Sequence, residues 1–545
     1  MKDEEEGGKM LGRTMNKWGL RRRGCWFVAV IIATFAAIIF APPANAQDAA
    51  LRGFDEFVED VLRSFDVPGA AVAIVRDGEV LLQKGYGVRA LGESAPVDET
   101  TRFGIASNTK AFTATALGML VESGEISWDT PVVDVLPWFQ LSDPYVTREL
   151  TILDLLVHRS GLGLGAGDLL FWPPSDYDRT EIARRLRYLP LETSFRSAYA
   201  YDNVLYLVAG EVIEAVSGKS WEEFVAEGLL GPVGMDESNA RLSTADDEGN
   251  IAATHARIDG TVRRVAPFAA DNTNPAGGIN SNARDMARWM IVQLDSGRVA
   301  TTGERIFTPR TTHMLWNPVT PVPFGNPPPG MEALRRSFNF YALGFGVRDY
   351  RGLKMVTHTG GLPGYVSMVA LIPAEKIGVT VLTNQESGAA FSAIVYHALD
   401  ALLGFEDTDW LKSYAALVSD AASSDAEQVR RIEANRDSTS GPSLATTRYA
   451  GRYEDVWYGG VTIEDGEGGL EIRFEKSPQL VGSLEHWQHD TFVARWYDRE
   501  LRADAFVTFA LNPDGSIAEA KMVPFLPSTD FSYDFQDLLL LPVRE

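Results

Sequence analysis

Phe103-Gly-Ile-Ala-Ser-Asn-Thr-Lys110 contains the only S-x-x-K sequence in this chain of 545 residues, formed by Ser107 and Lys110. The residues that follow, from Ala111 to Ser123, include no proline and are rich in alanine, leucine and methionine, which favour a helix. Gly124 is a typical helix stop. Because side chains three positions apart lie on one face of a helix, the sequence predicts a serine hydroxyl beside a lysine amine at a helix N-terminus.

A hydroxyl and an amine so placed have the chemistry of a nucleophile and its base. Serine is a poor nucleophile until a neighbouring group takes its proton, and a lysine desolvated among apolar residues can be that group. The free N–H groups at a helix N-terminus favour negative charge. A single S-x-x-K also arises by chance on surface helices, so this pair alone leaves both interpretations open.

Two further motifs also occur once each. Tyr201-Asp-Asn203 precedes apolar residues at helical spacing from Leu205 to Val216, and Gly218 would end that helix. His358-Thr-Gly360 directly precedes a predicted hairpin of residues 365–372 and 377–382. A Ser/Lys pair, a Tyr/Asn pair and a basic Thr-Gly element together are the parts of one acyl-transfer site.

The order and wide spacing of these three motifs resemble those of the serine β-lactamase and penicillin-binding protein superfamily. Leu150–Leu162 is similar to that family's T-I-x-x-L-L-x-H-x-S-G-L signature, and Ala276–Asp285 to its A-G-G-x-x-S-x-x-D helix start. The resemblance extends from about Leu51 to Gly404 and indicates the class C-like branch. That branch contains esterases, D-amino-acid peptidases, carboxypeptidases and true β-lactamases.

The pattern of the chain predicts an α+β fold. Ala70–Val75 and Val80–Gln83 form a predicted hairpin around Asp77-Gly78, a strong two-residue turn signal. Strands at both ends of this region with helices between them indicate an antiparallel sheet flanked by helices, with a helical insert from about Ser127 to Arg288. The proline-rich stretch 318–330 is expected to be an irregular surface loop, with a possible role as a wall of the active site.

The chain changes character after Gly404. Trp410 to Val418 could complete a helix, whereas 419–443 is acidic, rich in serine and alanine, and typical of a linker. From Tyr449 onward short strands and turns predict a small all-β barrel or sandwich, and Tyr449–Tyr453 resembles the lipocalin-like appendage of some family members. The expected domains are a signal peptide (1–46), a hydrolase domain (47–404), a helix and linker (405–445) and a β-rich domain (446–545).

The N-terminus predicts export. Arg21-Arg-Arg23 precede an apolar run from Trp26 to Ala41 and the small-residue sequence Pro42–Ala46, as in a secretory signal cut after Ala46. The product would be periplasmic or secreted and would contact a membrane only if the apolar segment were retained as an anchor. Cys25, the only cysteine, lies inside this segment, so the mature chain would form no disulfide.

Composition and motifs exclude several function classes. A formal net charge of −24 argues against nucleic-acid binding. No G-x-S-x-G occurs, and the glycine-rich segment 161–167 lacks dinucleotide-binding spacing. His486 and His489 could offer two metal ligands, but no third is placed, so no metal and no cofactor is expected. The expected partner is a small-molecule or peptide substrate, and the oligomeric state is left open.

The resemblance also implies roles for individual residues. Ser107 would attack a carbonyl carbon and form an acyl-enzyme, with Lys110 as proton acceptor and a Tyr201 phenolate as the alternative. The tyrosine would also protonate the leaving group. Asn203 would bind a substrate amide, and the backbone N–H groups of Ser107 and Gly361 would form the oxyanion hole.

His358, followed by Thr359 and Gly360 in the third substrate-binding motif, stands where β-lactamases carry lysine. Histidine titrates at about 6.5, so it would be a weak, pH-dependent anchor for a substrate carboxylate. This difference argues against an efficient penicillinase and favours a peptidase for small peptides with D- or unusual residues, linearised microcystins among them. Carboxylesterase, β-lactamase, D-Ala-D-Ala carboxypeptidase and a non-catalytic scaffold or sensor are the alternatives.

Overall fold

The protein is described here by a computed structural model that covers residues 50–243 and 249–543. The predicted signal segment, residues 1–46, lies outside the described residues. Within the described ranges, no helix combines the length and the apolar character that a membrane span needs.

The described residues in the first part of the chain contain twelve strands of different lengths. The strands are β1 (Gly69–Arg76), β2 (Glu79–Gly87), β3 (Phe103–Gly104), β4 (His255–Ile258), β5 (Thr261–Arg264), β6 (Asn280–Ser281), β7 (Thr320–Pro321), β8 (Asn339–Tyr341), β9 (Gly346–Tyr350), β10 (Leu353–Leu362), β11 (Tyr365–Ile372) and β12 (Ile377–Thr383). Eight of them form one antiparallel sheet in the order β2-β1-β12-β11-β10-β9-β8-β7. The sequence prediction of an antiparallel sheet in an α+β fold is confirmed.

The helices lie on both sides of this sheet. They are α1 (Phe54–Ser64), α2 (Thr109–Glu122), α3 (Val132–Val135), α4 (Pro144–Glu149), α5 (Arg179–Arg185), α6 (Val204–Ser217), α7 (Trp221–Val225), α8 (Gly231–Val233), α9 (Asn274–Gly277), α10 (Ala283–Leu294), α11 (Pro309–Leu315), α12 (Gly388–Leu403) and α13 (Trp410–Ala434). The described part of the segment between β3 and β7 contains ten of these helices, α2 to α11, as expected for a helical insert, although it also contains the β4–β5 hairpin.

Strand β1 shows why both faces of the sheet are covered. Ala70 and Val72 pack in an apolar cluster with residues of α1 and α12. Ala71 and Val75 belong to a second cluster that includes residues of α2, α6 and α10. Because side chains alternate along a strand, a run of uninterrupted apolar residues needs partners on both faces.

Eight strands close into a barrel at the C-terminal end. They are β13 (Gly451–Asp455), β14 (Gly459–Gly466), β15 (Gly469–Phe474), β16 (Val481–Gln488), β17 (Thr491–Trp496), β18 (Ala505–Leu511), β19 (Ile517–Pro524) and β20 (Leu539–Pro542). Each pairs with the next in the chain, and β20 returns to β13 through Tyr453 and Pro542. Aromatic rings such as Phe474, Phe492 and Trp496 are buried there. This result confirms the predicted small all-β barrel.

Two local expectations need correction. Helix α13 continues to Ala434, well past the linker predicted to begin at residue 419. The segment contains no glycine or proline and many good helix formers, and only its first turns carry buried residues, so its apolar pattern was too weak to extend the prediction. In the proline-rich stretch, Thr320 and Pro321 form the short edge strand β7, a position in a sheet where proline is tolerated.

The attachment of α13 depends on Trp410. Its side chain is buried, and its indole N–H donates to Asp400 Oδ2 at 2.9 Å. Trp410→Ala should therefore lower the free energy of unfolding by about 3–5 kcal/mol, measured by urea unfolding. Leu417→Ala, on an exposed part of the same helix, should change it by less than about 0.5 kcal/mol. Equal effects of the two substitutions would contradict this packing.

Candidate active site

The Ser107/Lys110 pair lies at the start of α2, as the spacing predicted. Ser107 is in a single 3₁₀ turn, residues 106–108, that leads into the helix. Lys110 Nζ lies 3.0 Å from Ser107 Oγ, 2.7 Å from Asn203 Oδ1 and 2.9 Å from the carbonyl oxygen of Ala276. The amine is fully buried. The lysine therefore reaches the serine from inside the protein, away from solvent.

The environment of Lys110 favours a neutral amine. Burial lowers the pKa of Lys110 to about 7, and the nearby carboxylates of Asp168 and Asp202 oppose part of this effect by raising it. An amine with this pKa exists substantially in its neutral form at neutral pH. The pair thus has the geometry and the protonation state that a base needs to accept the proton of a serine hydroxyl.

Tyr201 lies beside this pair on the loop before α6. Its ring centroid is 5.0 Å from Lys110 Nζ, and its hydroxyl is hydrogen-bonded to Ser107. Burial raises the pKa of Tyr201 well above its ordinary value. The phenol form is therefore strongly favoured, so this environment suits Tyr201 as a proton donor and favours Lys110 over a Tyr201 phenolate as the initial proton acceptor.

Both polar atoms of the Asn203 side-chain amide are hydrogen-bonded within the protein. Its Oδ1 accepts from Lys110 Nζ, and its Nδ2 donates to Asp168 Oδ2 at 2.7 Å. The sequence motif predicts that Asn203 binds substrate, and it gives no indication of either internal hydrogen-bond partner. One acceptor and one donor position of the amide are already engaged, which gives Asn203 a part in holding Lys110.

His158 holds the loop that carries Tyr201. Its ring lies 4.2 Å from the Tyr201 ring, centroid to centroid, and its Nδ1 accepts from the backbone N–H of Asp202 at 3.2 Å. His158 thus connects the segment 150–162 to the second motif.

The third motif lies on β10 and closes the site from the opposite side. A Cβ on Gly360 would lie 2.1 Å from the carbonyl oxygen of Ile105, so only glycine lets the strand pass this close to the segment before Ser107. Thr359 and Gly361 line the adjoining cleft, and the Cβ position of Gly361 faces open space. The structure thus brings the three predicted motifs to one place.

His358 is buried and fully hydrogen-bonded. Its Nδ1 lies 2.6 Å from the carbonyl oxygen of Thr359 and its Nε2 lies 2.8 Å from Tyr341 Oη. Because a carbonyl only accepts, the Nδ1–H tautomer satisfies both contacts with a neutral ring. Burial, and secondarily Lys110, lowers the pKa of His358 to about 3. The expected pH-dependent cationic anchor does not fit this environment, and His358 acts as a hydrogen-bonding element.

The cleft in front of Ser107 has a volume of about 630 Å³ and includes walls that the sequence analysis missed. Trp172 and Phe268, whose rings lie 4.7 Å apart, line one side. The C-terminal barrel domain contributes Arg502 and residues 530–532, among which Phe531 lies 6.0 Å from the Tyr201 ring. The proline-rich stretch 318–330, considered above as a wall, does not line this cleft.

The described residues contain no group of three or more histidine, cysteine, aspartate or glutamate side chains that could hold a metal ion. His486, one of the two candidate ligands, has its Nε2 2.8 Å from the carbonyl oxygen of His489.

Comparisons with known proteins agree with the fold and the motifs. A family model described as Beta-lactamase matches residues 54–403, and one described as a domain of unknown function, DUF3471, matches residues 435–541. The unguisins hydrolase ungD of Aspergillus violaceofuscus is 28% identical over 502 residues, which cover 87% of this chain and 88% of that protein.

Solved structures show a similar fold over most of the chain. The octameric penicillin-binding protein homologue from Pyrococcus abyssi has a TM-score of 0.57 at 21% identity and covers 90% of this chain and 99% of its own. The structure of SurE with D-Leu has a TM-score of 0.51 at 18% identity and covers 91% of this chain and 100% of its own. With the first family model matching more than half of its length, the chain belongs to the beta-lactamase family of serine hydrolases and carries a C-terminal DUF3471 domain.

Proposed function

We propose that this hydrolase cleaves short peptides containing D- or otherwise unusual residues through an acyl-enzyme on Ser107. The observation that carries the proposal is the buried Lys110 amine, which lies 3.0 Å from Ser107 Oγ and whose pKa burial lowers to about 7. Such an amine can take the hydroxyl proton without first losing one of its own, which makes the serine a nucleophile at neutral pH.

The proposed reaction has two halves. Ser107 Oγ bonds to the carbonyl carbon while its proton passes to Lys110 Nζ, and the backbone N–H groups of Ser107 and Gly361 stabilise the oxyanion. Tyr201, held as a phenol by burial, gives its proton to the leaving amine as the C–N bond breaks. The proton held by Lys110 then restores the phenol. Water repeats the steps on the ester and releases the acid.

The charges around the cleft support an uncharged substrate region next to Ser107. His358 is held neutral because burial lowers its pKa to about 3. Of the two arginines that line the cleft, Arg502 pairs with Glu386 at 2.6 Å, whereas Arg348 donates to the hydroxyl of Tyr396 and keeps its positive charge. The third motif therefore offers no cationic anchor for the carboxylate that penicillins present, and the space beside it suits a neutral amide or ester.

A second cavity of about 460 Å³ adjoins the cleft and supports a peptide as the substrate. It shares Trp172, Phe268, Glu386 and Arg502 with the first, so these side chains form the boundary between the two spaces. A substrate held at Ser107 could extend past this boundary. A short ester would fill only the first space, whereas a peptide of several residues could occupy both.

The comparisons guide the choice of test substrates. The relative from Aspergillus violaceofuscus is named as a hydrolase of unguisins, and the SurE structure was solved with D-Leu. We therefore propose a screen of peptides with D-Leu or L-Leu at the cleaved position, together with p-nitrophenyl esters and nitrocefin. Preference for nitrocefin over all peptides would contradict the proposed substrate class.

Ser107→Ala should abolish peptide hydrolysis and covalent labelling by a fluorophosphonate probe, because both need the serine oxygen. The side chain is small and partly exposed, so the melting temperature should change little. Full activity in the variant would rule out Ser107 as the nucleophile. Absence of labelling in the wild-type protein would favour the alternative of a non-catalytic scaffold or sensor.

A neutral His358 has a measurable consequence for pH dependence. Two peptides that differ only in a C-terminal carboxylate or carboxamide should show a constant ratio of KM values between about pH 5 and pH 9. The reason is that the pKa of His358 is lowered to about 3, so the ring has no positive charge to lose in that range. A rise in KM confined to the carboxylate peptide, and absent in His358→Gln, would restore the cationic-anchor hypothesis.

Trp172→Ala should lower kcat/KM for peptides long enough to pass the boundary between the cavities by roughly tenfold, equivalent to about 1.4 kcal/mol. Short esters should lose much less activity, because they occupy only the first space and do not need the passage that the Trp172–Phe268 pair borders. Trp138→Ala is the matched control, since Trp138 is half-buried against Arg184 and lines neither cavity. An equal loss on short and long substrates would contradict use of the second cavity.

A further inference from the structure

Asp168 is a fully buried carboxylate that the proposed reaction does not use directly. It lies in a 3₁₀ turn, residues 168–170, deep behind the cleft. Its Oδ2 accepts two hydrogen bonds, from Asn203 Nδ2 at 2.7 Å and from Ser532 Oγ at 2.9 Å. Asp168 thus connects the site beside Ser107 to a residue of the C-terminal barrel domain.

The barrel domain also holds the backbone around Asp168. The carboxylate of Asp534 is fully buried and accepts from the backbone N–H of Gly167 at 2.7 Å and of Leu169 at 3.0 Å. These two amides flank Asp168 in the chain. The segment 530–534, which lies between β19 and β20, therefore fixes both the backbone turn and the carboxylate that it carries.

A continuous series of hydrogen bonds results. It runs from Ser532 Oγ to Asp168 (2.9 Å), from Asp168 to Asn203 (2.7 Å), from Asn203 to Lys110 (2.7 Å) and from Lys110 to Ser107 (3.0 Å). Every member except Ser532 belongs to the hydrolase domain. The series reaches the nucleophile predicted from sequence without passing through solvent.

We propose that segment 530–534 of the barrel domain positions the base Lys110 through Asp168 and Asn203, so that hydrolysis depends on this contact between the two domains. The proposal rests on the proposed function. Asp168, Ser532 and Asp534 are positioning residues, because none of them touches the reacting atoms.

The physical reason is the two-fold ambiguity of an amide side chain. Asn203 could present either its oxygen or its NH₂ group to Lys110, and only the oxygen can accept a hydrogen bond from the amine. Asp168 Oδ2 accepts from Asn203 and from Ser532, and a proton on this carboxyl group would sit on Oδ1, which has no hydrogen-bond partner. In either protonation state Asp168 Oδ2 therefore binds the NH₂ end of Asn203 and leaves Asn203 Oδ1 facing Lys110. Ser532 and the two backbone amides bound to Asp534 in turn fix the position of Asp168.

The same carboxylate acts on the charge of the base. Asp168 raises the pKa of Lys110, which partly offsets the effect of burial. Burial raises the pKa of Asp168 itself to about 8, and Lys110 opposes that shift. The titratable groups that face Lys110 from the surrounding elements are Asp168, Tyr201, Asp202, His158, Tyr206 and His358.

Ser532→Ala is the first test, in the full-length protein with the best peptide from the screen. We expect kcat to fall roughly tenfold, the equivalent of about 1.4 kcal/mol, with KM nearly unchanged. Ser532 lines the cleft, but its hydroxyl already donates to Asp168 Oδ2 at 2.9 Å. Ser532→Thr keeps the hydroxyl and should restore most of the activity. The matched control is Ser477→Ala, which removes a buried barrel hydroxyl that accepts from Tyr458 Oη at 3.0 Å and lies outside this series.

Asp168→Asn is the second test, with a pH profile as its readout. The ionised form of Asp168 raises the pKa of Lys110, an asparagine cannot do so, and the base must be neutral to act. The acidic limb of kcat/KM against pH should therefore move to lower pH, while the maximum falls because Asn203 is no longer held in one orientation. A variant that only disturbed packing would lower the maximum without moving the limb.

The outcomes separate this inference from the proposed function. Suppose that the wild-type protein hydrolyses peptides, that Ser532→Ala is as active as Ser477→Ala, and that Asp168→Asn leaves the acidic limb of the pH profile unmoved. The inference is then wrong and the proposed function stands. If the wild-type protein neither hydrolyses the substrates nor reacts with the fluorophosphonate probe, both fall. Selective loss of kcat in Ser532→Ala, together with the shifted limb, supports both.

Discussion

Burial of the Lys110 amine is the constraint on which the site depends. An ammonium group is disfavoured away from water, so the amine is held near neutrality only while the surrounding elements exclude solvent and supply hydrogen-bond partners. Those partners come from the 3₁₀ turn before α2, from the loop before α6 and from α9. Glycine at 344 permits the turn before β9 to contact α2 closely, since a Cβ there would lie 2.6 Å from the carbonyl oxygen of Lys110. The sheet, helix α2 and the helical insert must therefore all pack around Lys110.

The sequence could predict those parts of the fold that depend on local patterns of apolar and turn-forming residues. Helix α6 lies where apolar spacing and Gly218 placed it, and Asp77 and Gly78 form the turn between β1 and β2 with the positive φ angles of a tight hairpin. The strands of the barrel were likewise visible as alternating segments. Helix α13 was underestimated beyond residue 418, because it buries few side chains there and so carries little periodic signal.

The site was predictable to the extent that its residues belong to linear motifs. Ser107, Tyr201 and His358 come together as the spacing of their motifs implied. The protonation state of His358 could not be predicted, because it depends on burial that only the assembled fold creates. Asp168 and Ser532 had no signal either. They are separated by more than three hundred positions, and a lone aspartate or serine in a loop has no pattern of its own.

The buried carboxylates at the contact between the two domains destabilise the folded state, which favours a functional explanation for this contact. Burial raises the pKa of both Asp168 and Asp534, so as pH rises past the ordinary range of a carboxyl group their ionised forms progressively destabilise the folded state. Neutral side chains of similar shape would avoid that cost, and buried carboxylates are poor devices for stability alone. Asp168 Oδ2, however, accepts from Asn203 and so fixes its amide, and the ionised form of Asp168 raises the pKa of the lysine. Asp168 lies two hydrogen bonds from the base, through Asn203, and one hydrogen bond from Ser532 of the barrel. This position is better explained by control of Lys110 than by adhesion between the domains.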